Sequence, residues 1–260
     1  MTAIFHRMEP NGPKGKGLED WGGLPAEGLE SGTPQQTGYG YLDEKATGMS
    51  AGVWACTPMT GKMDAWSVHE FMTLLEGSVT IVHKDGTELT VKAGESFFIP
   101  KGTLCQWKQP GNVKKYYVIW DDASGTQPKD AAKLRAVKVD TTATLSPSEG
   151  PDPKLVVGAQ PKWQENLLFA DPTGQWTVGL WSTTAYERKV IPFPRHELMH
   201  ILSGKVTISD GKGREEVFKA GDTLFVPKGA LFGWKCSEDV KKIYCIFLEK
   251  EKAAKSEAAE

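Results

Sequence analysis

The chain has 260 residues with 39% hydrophobic and 25% charged content and a formal net charge of −2. That length suits two modest domains, and the composition excludes wholesale disorder. Near-balanced charge argues against nucleic acid or an acidic membrane surface as the main partner. No basic-then-apolar leader opens the chain, and no run of about 18 apolar residues is present, so neither secretion nor a membrane span is expected. Four cysteines without a CxxC pair read as cytoplasmic thiols rather than a disulfide framework.

In chain order, residues 1–41 are rich in Gly and Pro and read as an extended arm pinned by Trp21. Residues 42–121 form a first domain. Its segments 71–83, 96–100 and 116–120 are rich in β-branched, Leu and aromatic residues and are bounded by Gly or Pro-x-Gly, which predicts strands. Residues 122–160 read as a linker, with a short strand near 135–139. Residues 161–249 form a second domain, with matching strand signals at 223–227 and 243–248. Residues 250–260 read as a solvated tail. No long 3.6-residue period appears in either domain, so the fold class is all-β, a sandwich or barrel.

The two domains are copies. A shift of 127 residues aligns Trp54–Trp120 with Trp181–Phe247 without a gap, with 28 identities in 67 positions. Each copy carries E-x6-G followed by G-x5-P-x-G. The first has Glu70, Gly77, Gly94, Pro100 and Gly102; the second has Glu197, Gly204, Gly221, Pro227 and Gly229.

This pattern resembles the two motifs of the cupin superfamily. It is similar to the subgroup named after the (S)-ureidoglycine aminohydrolase cupin domain, where a Trp follows the P-x-G turn, as Trp107 and Trp234 do here. The resemblance covers roughly residues 50–120 and 177–248 and implies a bicupin, two tandem jelly-roll barrels. Metal-binding cupins take two His from H-x-H, a Glu, and a His three residues after P-x-G. Here only Glu70 and Glu197 match. The H-x-H segments read Met-Asp-Ala-Trp at 63–66 and Val-Ile-Pro-Phe at 190–193, and the last position holds Cys105 or Phe232.

The five histidines are His6, His69, His83, His196 and His200. A divalent transition metal would have to use Glu70 with Cys105, with Asp64 as a further donor, or Glu197 with His196 and His200. Strand alternation turns His196 and His200 away from Glu197, and four strand positions span roughly 13 Å. No cofactor is therefore expected with certainty. His69 and His196 hold matching positions and read as structural hydrogen-bonding groups at strand ends. His83, beside a Lys-Asp-Gly turn, is expected at the surface.

With Glu70 facing inward, Met72, Cys105, Trp107 and Tyr117 should line the first cup; Glu197, Met199, Phe232, Trp234 and Tyr244 should line the second. A Glu in such apolar surroundings would have a raised pKa and could serve as the catalytic acid or base, which makes Glu70 and Glu197 the candidate catalytic residues. The competing reading is a packed core whose Glu pairs with a backbone N–H, Tyr or Lys. For the first copy the two readings stand level; for the second, Phe232 favours the packed core. The expected function is binding of a small polar metabolite in a cup with a degenerate metal site. Two alternatives stand beside it. One is a metal-dependent hydrolase or isomerase of a small metabolite resembling ureidoglycine aminohydrolase. The other is a structural, oligomer-forming protein with filled barrels. A homodimer is expected, with the 1–41 arm suited to exchange.

Overall fold

The computed structural model describes residues 3–122 and 133–250. The tail from 251 and the centre of the linker, 123–132, lie outside the described residues. Within them, strands are joined by turns and three-residue 3₁₀ turns, as the short β-branched runs and abundant Gly and Pro dictate.

Each copy is a barrel of two sheets. In the first, a seven-stranded sheet runs Val137–Lys138, Ser96–Ile99, His69–Glu76, Val113–Trp120, Met49–Cys56, Gln35–Glu44 and Glu19–Gly23. Facing it is a sheet built on Glu88–Lys92, Ser78–His83, Leu104–Gln109, Met59–Gly61 and Leu29–Ser31, with Asp64–Ala65 beside Leu104–Gln109. The second copy repeats this. Its large sheet runs His6–Met8, Thr223–Val226, His196–Ser203, Val240–Phe247, Trp176–Thr183, Trp163–Ala170 and Ser146–Ser148. Its small sheet runs Val156–Val157, Tyr186–Pro192, Leu231–Cys236, Lys205–Ser209 and Glu215–Lys219.

Strand alternation then sorts the side chains into three cores. Met72, Leu74, Phe97, Ile99, Cys105 and Trp107 fill the inside of the first barrel. Met199, Ile201, Leu224, Phe232 and Trp234 do the same in the second. The intervening residues of the two large sheets, among them Phe71, Phe98 and Trp120 from one copy and Trp176, Leu198 and Phe247 from the other, pack together as a central core. The molecule is thus four stacked sheets, small, large, large, small, with the two large sheets back to back.

The expected arm is built into both barrels. Glu19–Gly23 and Gln35–Glu44 extend the first large sheet, while His6–Met8 pairs with the edge strand of the second. Trp21 covers Gly38, where even a methyl group would collide with its ring. The linker supplies the matching cap: Val137–Lys138 pairs with the first barrel's edge strand, Ser96–Ile99. Each barrel is therefore closed by the segment that precedes the other one.

The motif glycines follow from backbone geometry. Gly77 and Gly204 have φ of 79° and 75°, and a Cβ there would lie 2.1 Å from the carbonyl oxygen of Asn112 or Asp239. Only glycine suits both conditions. All four cysteines are free and buried. Among the described residues, no helix is long and apolar enough to cross a membrane.

Candidate functional site

The carboxylate of each barrel faces inward, and so does the aromatic set expected with it. Glu70 shares its strand face with Met72, and Cys105, Trp107 and Tyr117 join Met72 in the first barrel's interior. In the second barrel Glu197, Met199, Phe232, Trp234 and Tyr244 line one cavity.

Neither Glu is a free acid or base. Lys115 Nζ lies 2.7 Å from Glu70 Oε1 and 3.0 Å from Met72 Sδ, with the Trp54 and Trp107 rings 4.7 and 4.8 Å away. Lys242 Nζ donates to Glu197 Oε1 at 2.6 Å, and Arg195 Nε donates to Glu197 Oε2 at 3.0 Å, with its Nη2 ion-paired 2.9 Å from the same oxygen. Burial by itself raises the Glu197 pKa, but Lys242 and Arg195 outweigh it and hold the carboxyl below its ordinary value. The expected raised pKa is corrected at Glu197: its surroundings are apolar but contain two cations.

The lysines were legible in principle. Lys115 and Tyr117 are two apart on one strand, as are Lys242 and Tyr244, so an inward Tyr implies an inward Lys. In each Lys-Lys pair the neighbouring lysine takes the opposite face. Lys114 does point outward, to Glu76 at 2.8 Å.

The metal-ligand sets do not assemble. His196 lies on the opposite face from Glu197. It packs in the central core against Phe225 and Phe247, accepts from the Lys228 amide at 3.3 Å, and approaches Glu44 at 3.3 Å. His200 lies near Thr223 Oγ1, 2.8 Å away, at a cleft between the copies. In the first barrel, Asp64, Glu70 and Cys105 line a shared cavity, but Glu70 is bound to Lys115, and burial pushes the Cys105 thiol up to about 11. Among the described residues no three His, Cys, Asp or Glu side chains gather as a metal cage. The donor set does not fit the transition metal that the cupin motifs imply. An ammonium stands beside each motif carboxylate in place of that cation.

His69 accepts from the Lys101 amide at 3.2 Å, the counterpart of the His196 contact, so the pair does anchor the P-x-G turns. His83 departs from expectation: it is buried, and its Nε2 accepts from the Ala136 amide at 3.0 Å. The linker strand folds over the turn that would otherwise expose it.

The cups differ. The first opens into a cavity of about 570 Å³ bounded by residues 24–29 of the arm, Met59, Trp66, Cys105 and Trp107. The second holds about 220 Å³. Phe232 narrows it without filling it, because its ring lies against Phe193 at the wall, centroids 4.8 Å apart. The packed-core reading of the second copy is right about the Glu197–Lys242 pair and wrong about the filling, since a cavity remains beside Phe232. Trp163, Trp181, Trp234 and Tyr186 form the aromatic wall, with centroid separations of 5.3 to 6.3 Å. Arg188, not foreseen from the sequence, also lines this cup, 5.3 Å from the Phe232 ring.

Two jelly-roll barrels in tandem, each with the motif Glu inside, define a bicupin. A family model described as the EutQ-like cupin domain matches residues 44–117 and again 170–244. The chain belongs to that family; the match does not speak to the ureidoglycine aminohydrolase subgroup. No curated protein matches it. Among solved structures, a protein of unknown function in family DUF861 from Pseudomonas syringae pv. tomato is 26% identical, with a TM-score of 0.76 over 94% of this chain and 99% of that one. A cupin 2 conserved barrel domain protein from Leptotrichia buccalis is 13% identical, TM-score 0.54, over 82% and 89%. Ylba from E. coli, family DUF861, is 12% identical, TM-score 0.54, over 97% and 94%. The last two support the fold alone.

Proposed function

We propose that the chain binds a small polar metabolite in the C-terminal cup, with no metal held at Glu197. The observation that carries this reading is the cup itself, a cavity of about 220 Å³ between aromatic walls, with the Lys242–Glu197–Arg195 network in its lining. Apolar walls with a few fixed polar groups are the usual form of a small-ligand site. Filled barrels leave such a cavity unexplained. A metal-dependent hydrolase would need ligands that this cup lacks, since both Glu197 oxygens already serve cations.

The test combines filling the cup with measuring its metal. Met199→Trp projects a large ring into the cavity. The expected outcome is that small fragments quench the fluorescence of the wild-type chain, that Met199→Trp abolishes the effect, and that purified protein carries no stoichiometric metal. Equal quenching in both proteins overturns the binding site. About one equivalent of Mn, Fe, Ni or Zn, lost on Glu197→Ala, overturns the metal-free reading.

A further inference from the structure

We propose that Arg188 is the carboxylate anchor of the C-terminal cup, so that the ligand is a small organic acid. This rests on the reading that the cup binds a metabolite, and it adds the chemical class.

Arg188 sits on the strand Tyr186–Pro192 opposite Trp234, lines the cavity, and has the Phe193 and Phe232 rings at 5.8 and 5.3 Å. Its Nε and Nη2 are buried and have no hydrogen-bond partner. Burying a charged donor without an acceptor is among the costliest arrangements a protein adopts. The burial also lowers its pKa, against the pull of Tyr186 and Glu197.

The surrounding carboxylates are committed elsewhere. Glu197 gives one oxygen to Lys242 and the other to Arg195. Glu165 accepts from the Tyr244 hydroxyl, and Glu187 pairs with Lys235 at 2.9 Å. Glu149, at the rim, is exposed. Arg195 shows what the unused edge of Arg188 is suited to hold, since its own Nε and Nη2 edge lies against a carboxylate oxygen, Glu197 Oε2. Nε and Nη2 present a planar fork matched to carboxylate oxygens.

The first copy provides an internal contrast. The 127-residue shift places Gly61 where the second copy has Arg188, and Val68 where it has Arg195. The Lys–Glu pair is common to both barrels, whereas the two guanidinium groups belong to the C-terminal cup alone. They are therefore not required to close a barrel of this kind. Scaled from an engineered cavity of about 150 Å³ that takes benzene, a cup of this size takes roughly nine non-hydrogen atoms.

Benzoate and benzamide meet that size and differ in charge. Calorimetric titration of the full chain should show benzoate binding at least tenfold more tightly than benzamide, a difference that Arg188→Met removes. Inorganic phosphate at the same ionic strength should not compete with benzoate. Equal binding of acid and amide by the wild-type chain overturns the anchor and leaves the cup reading standing. Binding of neither overturns both. Effective phosphate competition overturns the preference for a planar acid. Should Arg188→Met fail to fold, the acid–amide comparison in the wild-type chain still decides the matter, and Arg188→Gln supplies a second variant.

Discussion

His69 lies between Trp120 and Trp176, with ring centroids 5.5 and 5.2 Å away, and its Nδ1 accepts from the Lys101 amide. Burial lowers its pKa to about 4, against the pull of Asp171 and Asp122, with Lys101 adding to the shift. A histidine with a depressed folded pKa takes its proton more readily when unfolded, so the unfolded state gains as pH falls. Stability is then full above the ordinary histidine value and is lost as pH drops from 6.5 toward about 4. The shift corresponds to about 3 kcal/mol at most. His196 and His200 shift in the same direction, again chiefly through burial. Urea unfolding at a series of pH values should show this acid slope, and His69→Phe should make it shallower. An unchanged slope would place the loss elsewhere.

At the scale of strands, period-2 alternation made most of the site readable. Met72, Trp107, Tyr117, Met199 and Trp234 all face inward as the pattern requires, because one misplaced residue would turn a whole strand inside out. What alternation could not give was the partner across the cup. Lys115 reaches Glu70 from another strand, 45 positions along the chain, and no local pattern encodes that distance. Arg188 lies beside a register shift, between Arg188 and Ile191, where counting by twos fails. His83 was misplaced because its cover comes from the linker, 53 residues away. The capping strand His6–Met8 is short but is flanked by Phe5, which is fully buried in the second barrel's core. Phe5→Ala should cost about 3–5 kcal/mol in chemical unfolding. A change below about 1 kcal/mol would mean that the arm closes the barrel only loosely.

For the molecule as a whole, the duplication named the architecture from the sequence, since the shared motifs fix two barrels and leave little else to choose. It did not reveal how the copies meet. The large sheets pack back to back through Phe98, Phe169 and Trp176, with centroid separations of 5.5 to 6.3 Å, so the central core belongs to neither copy. Such sharing couples the two barrels, and heat should unfold the chain in one calorimetric transition whose van't Hoff and calorimetric enthalpies agree. Two resolved transitions would show that the barrels melt separately. The same apolar contact accounts for a duplicated chain whose cups have diverged: the packing surfaces between copies constrain the outer faces of the large sheets and leave the cup linings free to differ, as Cys105 against Phe232 and Gly61 against Arg188 do.

The reciprocal caps also order events during synthesis. The first barrel can be closed once residue 138 has left the ribosome, because its cap lies in the linker. His6–Met8 has no such early partner, since its edge strand ends at Val226. At ribosomal speeds of about 5–20 residues per second, the arm waits roughly ten to forty seconds before its strand can pair. Strand His6–Met8 is therefore among the last to settle, and a nascent chain halted before Thr223–Val226 emerges would carry it as an unsatisfied β-edge.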